Sequence, residues 1–479
     1  MTTTDAKPTA VGLRSERGPV LLAIMLATGL VAIDATILAT AVPSITGDLG
    51  GFALFPWLFS AYLLAQAVST PLFGKASDLL GRRPVMMLGI GLFVGGSVLC
   101  GFAWSMPVLI VARAVQGLGA GAVMPMSLTM IGDLYTVAER ARVQAYVASV
   151  WGASAVVGPT LGGVFSEYLS WRWIFFVNVP LGLLAAVMLL RGFTERVERT
   201  RRSIDVAGAT LLVVGGSSLV LGLLQGGTSW PWLSVRGVGV FVLAVLALAA
   251  FVLVERRAAE PVLPGWIFTR RLLVGTNLAN VGIGALVVGL SSYVPLYVEG
   301  VLGHGALVGG FALAAMMVGW PVAASFVGRI YLRIGFRDTG LIGSVVVVLG
   351  AGSLVLLSAS SGVWQVALSC LVIGAGLGLV ASPTLVAAQS SVGWEQRGVV
   401  TGTQLFSRSM GSAVGVAVFG AVANAAVASR LGADAVAGGS VPADVLAPAI
   451  HQVFVLASGV GLIVLVALVL MPRRNAVEE

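Results

Sequence analysis

Asp34 is the only carboxylate deep inside a hydrophobic span of this 479-residue chain, in which 58% of the residues are hydrophobic. Nearly every other side chain in the stretch 20–42 is apolar. Insertion measurements put the cost of a charge near the centre of a bilayer at about 2.5–3.5 kcal/mol, so such a group is rarely retained without a use. A carboxylate in this position can bind and release a proton, which is the chemistry that proton-coupled transport requires.

Arg113 is the basic residue that matches Asp34 in depth. The first span is expected to run outward and the fourth inward, so a rise of 1.5 Å per residue places both residues about 10–12 Å below the outer boundary. A nearby arginine stabilises the charged carboxylate, whereas desolvation favours its neutral form. The two residues therefore fit a proton switch, and the alternative is a static salt bridge that locks two helices.

The elements that position these residues are membrane spans. With a mean hydropathy of +1.00 and only 10% charged residues, the chain is neither a soluble domain nor a disordered one. A helix needs about 20 apolar residues to cross a bilayer, and that rule predicts about fourteen spans. They begin near Val20, Leu54, Pro84, Met106, Val143, Trp173, Val206, Gly237, Leu272, Gly305, Thr339, Trp364, Val399 and Ile450.

The distribution of basic residues predicts the orientation. Of 28 Lys and Arg residues, 23 fall in segments assigned to the cytoplasm, as the positive-inside rule requires for a chain whose two termini are both cytoplasmic. The net charge of +8 is therefore a topology signal, and no segment has the features of a nucleic-acid module. We expect a multi-pass protein of a bacterial-type plasma (inner) membrane, functional as a monomer in the lipid bilayer.

The sequence does not show the residue patterns of metal sites, nucleotide sites, intramembrane enzymes or channels. Cys100 and Cys370 lie in separate apolar segments, and His304 and His451 are far apart, so neither a metal site nor a cofactor is expected. The sequence has no phosphate-binding loop and therefore no nucleotide site. An intramembrane enzyme would need convergent catalytic groups, and a channel would need a ring of like residues or a filter segment; neither pattern is present.

A weak internal repeat divides the chain. The stretch 74–83 (GKASDLLGRR) follows the second span, and 328–337 (GRIYLRIGFR) follows the second span of the other half. Two six-helix halves with a binding site between them are a standard layout of secondary transporters. We predict a cytoplasmic tail (1–18), a six-helix bundle (19–192), a basic linker with two additional helices (193–271), a second six-helix bundle (272–472) and a tail (473–479).

Several motifs resemble those of the major facilitator superfamily, most closely its fourteen-helix branch of drug–proton antiporters. They occur in the family's order and on the corresponding spans. The matching residues are Gly74, Asp78, Gly81, Arg82 and Arg83 in the loop motif, Arg113, Gln116 and Gly117 in the fourth span, Gly158, Pro159, Gly162 and Gly163 in the antiporter motif of the fifth span, Asp34 and Thr36 in the first span, Trp171 to Asn178, and Arg408 to Ala417.

The resemblance implies a two-bundle, all-α membrane fold that exchanges inward-moving protons for an outward-moving hydrophobic or amphipathic compound, such as a drug. Asp34 and Arg113 would couple the protons. Asp78 would act as a conformational latch with Gly74, Gly81, Arg82 and Arg83, pairing across the turn with Arg142 or near Asp133. The alternative is a dedicated exporter of a lipid, siderophore or endogenous metabolite on the same scaffold.

The small-molecule cargo is expected to touch polar and aromatic residues of the spans. Glu299 would be either a plain surface carboxylate or a second acidic group that favours cationic cargo, and Arg408 is an intramembrane charge whose role the sequence leaves open. The remaining cavity candidates are Gln66, Gln116, Asn277, Asn280, Gln389 and Gln404, with the aromatic residues Trp57, Tyr62, Tyr293, Tyr297 and Trp320.

Overall fold

The computed structural model describes residues 12–49, 56–193, 195, 205–226, 230–258, 261–431 and 442–473. Most of the two predicted terminal tails and most of the basic linker lie outside these residues. The described helices are α1 Gly18–Leu49, α2 Pro56–Leu80, α3 Arg82–Gly101, α4 Met106–Leu134, α5 Val137–Val164, α6 Trp173–Phe176, α7 Asn178–Gly192, α8 Val206–Gln225, α9 Val235–Glu255, α10 Arg271–Gly300, α11 Ala306–Ile334, α12 Phe336–Val355, α13 Val363–Ser390, α14 Arg397–Leu431 and α15 Ala443–Val469.

These helices are those of a membrane protein. Within the described ranges, 11 helices are long and apolar enough to cross a bilayer. Only helices that satisfy their own backbone hydrogen bonds, or closed barrels, can span hydrocarbon. Large apolar side chains also cover the outer surface, as on α9, where Val245 is 66% exposed and Leu246 63%. The predicted all-α, polytopic architecture is confirmed.

Two groups of helices repeat one packing pattern. In α1–α7, which we call the N-terminal half, α1 packs on α5 and α7, and α4 packs on α2 and α3. In α10–α15, the C-terminal half, α10 packs on α14 and α15, and α13 packs on α11 and α12. The helix pairs correspond one to one in chain order, so both halves are built on the same plan.

The turns predicted as repeats share their geometry. Gly81 joins α2 to α3 with a φ of 98°, and Gly335 joins α11 to α12 with a φ of 86°. Residues other than glycine rarely adopt a positive φ, and glycine adopts it without a steric cost. A single glycine therefore makes the same tight turn in each half.

The halves meet along two helix pairs, α2 with α14 and α5 with α11. The central hairpin, α8 and α9, lies against α2 and α14 through α8. Arg82, Arg140 and Arg397 lie at one end of the α2–α14 contact, which we call the basic end. This arrangement leaves the inward faces of both halves opposite each other.

Candidate functional site

Asp34 lies at the centre of a buried polar network in the N-terminal half. It is 1% exposed, as is Arg113, and the Arg113 Nη1 is 2.5 Å from the Asp34 Oδ2. The Gln116 Nε2 donates to the Asp34 Oδ1 at 2.7 Å, and the Gln116 Oε1 accepts from the Arg113 Nη1 at 2.7 Å. α1 supplies the acid and α4 supplies the other two residues, one helical turn apart, so the three form a closed triangle.

Further contacts orient the triangle. The Asn178 Nδ2 donates to the Asp34 Oδ1 at 3.3 Å, and Ser97 accepts hydrogen bonds from both Gln116 and Asn178. The Arg113 Nε donates to the Leu58 carbonyl at 3.2 Å, and its guanidinium lies 4.2 Å from the centroid of the Tyr62 ring. These neighbours therefore hold the side chains of Asp34 and Arg113 in place.

The network changes the interpretation of two predicted residues. Gln116 was expected to line a substrate cavity, but it is fully buried and bonds to both members of the ion pair. Tyr62, an aromatic cavity candidate, lies under Arg113 and is 2% exposed. Sequence reasoning also missed Ser97, because a serine in a span commonly bonds to its own helix and gives no separate signal.

Asp78 joins the two halves at the basic end. Its Oδ1 accepts from the Gly398 amide at 2.9 Å, and its Oδ2 accepts from the Val399 amide at 2.8 Å. Both amides lie in the first turn of α14, where N–H groups lack an intrahelical acceptor and the helix dipole is positive. A carboxylate of one half therefore caps a helix of the other.

Arg82 and Asp133 extend this connection. The Arg82 guanidinium is fully buried and forms ion pairs with Asp78 at 2.8 Å and with Asp133 at 3.0 Å. It also donates to the Trp394 carbonyl at 2.6 Å and lies 4.1 Å from the centroid of the Trp394 ring. Arg397 approaches Asp133 from the C-terminal half at 3.1 Å, so one carboxylate receives a cation from each half.

Glycine allows the backbones to approach at this contact. A Cβ added to Gly74 would lie 2.6 Å from the Gly398 carbonyl oxygen. Such a distance is well inside van der Waals contact, so any larger residue would push α2 away from α14. Gly74 is thus required by the closed basic end in a way that the sequence motif alone does not explain.

Two basic residues of the predicted latch lie elsewhere. Arg142 is exposed and forms no ion pair within the described part of the chain. Arg140, about 200° away around α5, instead points inward and bonds to the Gly132 carbonyl and to Ser390. Arg83 donates only to the Leu190 carbonyl of its own half, while its amide and that of Arg82 are capped by Glu195.

The antiporter motif of α5 packs against the helix that carries Asp34. An added Cβ at Gly158 would collide with Thr36, whose hydroxyl donates to the Ser154 carbonyl at 2.9 Å. Gly162 is buried, but Gly163 faces open space and contributes no close approach. The backbone of Pro159 is helical, and its side chain is outside the described set.

Arg408 is the charged residue of the C-terminal half at membrane depth. Its Nε and Nη2 both donate to the Asn280 Oδ1, at 3.1 and 2.8 Å, and its guanidinium lies 5.8 Å from the centroid of the Trp320 ring. Asn277 lies one turn before Asn280 on α10, and its Oδ1 is buried without a partner among the described residues. Three predicted residues therefore lie together: Asn280 of α10, Trp320 of α11 and Arg408 of α14.

The other cavity candidates are dispersed. Tyr297 is buried, its hydroxyl donates to the Ser358 carbonyl at 3.0 Å, and it lines a pocket together with residues of α15. Tyr293 lies beside Gly420 of α14, Gln66 is half-buried on α2, and Glu299 is exposed near the end of α10. Gln389 is buried where α13 meets α4 and donates to the Leu128 carbonyl.

An exposed contact lies within the N-terminal half, at the end opposite to the basic end. Asp48, beyond the apolar part of α1, accepts from Arg172 at 2.8 Å and from the Trp171 indole at 3.0 Å. The Arg172 hydrogen bond, followed by that of Trp171, lowers the pKa of Asp48 from its ordinary value. This contact links α1 to the segment before α6.

Comparison with known proteins places this geometry in context. The sequence model of the Major Facilitator Superfamily matches residues 24–416. The multidrug transporter protein MdtP of Bacillus subtilis is 35% identical over 414 residues, which are 86% of this chain and 76% of that protein. Multidrug resistance protein 3 of the same species is 34% identical over 405 residues, or 84% of this chain and 79% of that protein.

More distant similarity extends to fungal pumps and to a human structure. The efflux pump dotC of Dothistroma septosporum is 31% identical over 406 residues, covering 83% of this chain and 70% of the pump. The crystal structure of the human organic anion transporter MFSD10 superposes with a TM-score of 0.67 at 16% identity, covering 95% of this chain and 99% of that one. At that identity the similarity concerns the fold.

Proposed function

This chain belongs to the Major Facilitator Superfamily, and we propose that it is a proton-coupled exporter of its fourteen-helix drug–proton antiporter branch. The cargo is a hydrophobic or amphipathic compound. Relatives named as multidrug transporters and efflux pumps support export as the direction. A dedicated exporter of one lipid, siderophore or metabolite would use the same steps and differ in its cargo.

The observation that carries the proton coupling is the buried triangle of Asp34, Arg113 and Gln116. Asp34 is the carboxylate of this network and Arg113 supplies its counter-charge at contact distance. Removing one charge of a buried pair costs about 3–5 kcal/mol when nothing replaces it. Protonation of Asp34 removes that attraction, so it can shift the packing of α1 against α4.

The basic end supplies the second state-dependent element. In this conformation Asp78, Arg82 and Asp133 hold the halves together at the α2–α14 contact. Because basic residues concentrate on the cytoplasmic side, we assign this end to the cytoplasm and place the protein in the cell membrane with both termini inside. Opening the contact would then admit cargo from the cytoplasm.

The proposed cycle links the two elements. In the conformation described here the basic end is closed, and Asp34 takes a proton that arrives from the outer side. Protonation weakens its attraction to Arg113 and favours separation of the halves at the basic end, where cargo enters. Proton release to the cytoplasm re-forms the ion pair and returns the cargo outward.

Transport against a gradient tests the proposal. The purified protein is placed in proteoliposomes with an imposed pH gradient, and a panel of amphipathic fluorescent dyes is screened for accumulation. We expect at least one dye to accumulate beyond equilibrium and to leave when an ionophore collapses the gradient. Asp34→Asn should only equilibrate the dye, whereas Asp48→Asn, on the same helix but outside the network, should accumulate it normally. Equal accumulation by Asp34→Asn and wild type would contradict the proposal.

A further inference from the structure

Arg408 carries a charge that its surroundings do not balance. No carboxylate in the described ranges forms an ion pair with it, and its hydrogen-bond acceptor is the neutral amide of Asn280. Arg113, the other arginine at membrane depth, is neutralised by Asp34. The described membrane interior therefore holds one excess positive charge while Asp34 is ionised, and two when it is protonated.

The guanidinium also has unused donors. Arginine has five N–H groups in a planar fork that suits two oxygens of a carboxylate or phosphate. The Nε and one Nη2 hydrogen of Arg408 bond to Asn280, which leaves three N–H groups without an acceptor among the described residues. A charged group at membrane depth normally finds a partner or faces an aqueous path, so these donors point to an occupant.

The position of Arg408 directs it toward the transport path. The side chain starts on α14 and reaches Trp320 on α11, and these are the two helices through which the C-terminal half meets the other half. It is partly accessible, whereas Asn280 behind it is 1% exposed. The accessible side of the guanidinium therefore faces away from α10, between the helices that border the interface.

The neighbouring groups suit an aromatic or amphipathic anion. Trp320 offers a ring surface beside the cation. Asn277, one turn before Asn280 on α10, has a buried amide oxygen with no partner among the described residues, and it can present either this oxygen or its NH2 after a flip. A hydrophobic body could stack on the indole while an acidic group bonds to the guanidinium.

We propose that Arg408, held by Asn280 and flanked by Trp320, is a subsite for the anionic group of the cargo, so that the protein prefers organic acids over cations of the same shape. This inference rests on the proposed function, because it concerns the cargo of the same exporter. The membrane potential adds to the preference: an anion that leaves a negative interior gains about 50-fold in its equilibrium concentration ratio per 100 mV.

A binding series with one fluorophore tests the subsite without relying on transport. The probes are dansylglycine, which is anionic, dansylamide, which is neutral, and dansylcadaverine, which is cationic, each titrated into the purified full-length protein. For wild type we expect dansylglycine to bind about tenfold more tightly than dansylamide, because a charge-assisted hydrogen bond is involved. Arg408→Gln should abolish that ratio, and Arg408→Lys should retain part of it.

Controls separate the possible outcomes. Arg430→Gln removes an exposed arginine of the same helix and should leave the ratio at its wild-type value. Equal or weaker binding of dansylglycine by wild type would overturn the subsite even if Arg408→Gln fails to fold. Asp34→Asn should keep the ratio while losing proton-driven accumulation, so failure of the proton coupling and failure of the anion subsite give different results.

Discussion

Replacing Asp78 with asparagine removes the negative charge that caps the first turn of α14. In the structure, the two carboxylate oxygens accept from the amides of Gly398 and Val399, at 2.9 and 2.8 Å. These amides have no acceptor within their own helix, because the first turn of any helix lacks one. Their protection from solvent therefore depends on a residue of the opposite half, which makes them direct reporters of closure.

The size of the effect follows from the bonds that change. A hydrogen bond to a charged group contributes about 1.5–3 kcal/mol and one between neutral groups about 1 kcal/mol. Asparagine offers one carbonyl oxygen, so one of the two bonds is lost and the other becomes neutral. The expected loss of about 2–5 kcal/mol corresponds to about a 30- to 5,000-fold increase in the open fraction.

Hydrogen–deuterium exchange in nanodiscs measures this change. Peptides that contain Gly398 and Val399 should exchange faster in Asp78→Asn by that factor, because exchange follows the open fraction when closing is fast. Arg83→Ala is the matched control, since Arg83 belongs to the same motif but contacts only its own half. If Asp78→Asn exchanges at the wild-type rate, the Asp78 cap does not hold the halves together.

Three further predictions concern packing and charge. Arg113→Lys keeps a positive charge but loses the planar fork that reaches Asp34 and Gln116 together. The initial rate of proton-driven dye accumulation should therefore fall about tenfold. A wild-type rate would show that the positive charge alone suffices. Gly74→Ala should speed hydrogen–deuterium exchange at the start of α14, because the added methyl group prevents α2 from approaching α14 closely. Gly163→Ala should not, because its Cβ would face open space. Identical exchange in the two variants would refute the steric argument. Tyr297→Phe removes the hydrogen bond to Ser358, so it should cost about 1 kcal/mol of stability in a thermal melt and leave dye affinity unchanged. A loss of dye affinity would place Tyr297 in the cargo-binding cavity.

The helical architecture could be predicted from the sequence because apolar composition and span length are local properties. Helices occur at each predicted segment, and the glycine turns at Gly81 and Gly335 repeat as the two sequence stretches suggested. Within the described residues, eleven helices pass the length and hydropathy criteria for a membrane span, and α8 is a shorter apolar helix. The contacts that α2 and α5 make between the halves depend on the packing of distant segments, which local composition does not give.

The site could be predicted only in part. Matched depth allowed Asp34 and Arg113 to meet, and in the structure they do. The role of Gln116 depends on side-chain direction around α4, which one sequence does not give. The hydrogen bond from the Gly398 amide of α14 to Asp78 joins two residues that are 320 positions apart in the chain and belong to different halves. Such long-range contacts have no local sequence signal. Of the two neighbours expected for Asp78, Asp133 lies in the same network through Arg82, whereas Arg142 is exposed.

Simultaneous measurement of proton and cargo movement tests the central claim, which is that Asp34 couples the two fluxes. Proteoliposomes containing a trapped pH-sensitive dye are mixed with a transported compound, and internal pH and compound uptake are recorded together. For wild type we predict that protons leave as the compound enters, at a fixed ratio. For Asp34→Asn we predict compound movement down its own gradient without proton movement. An unchanged proton flux in Asp34→Asn would contradict the account.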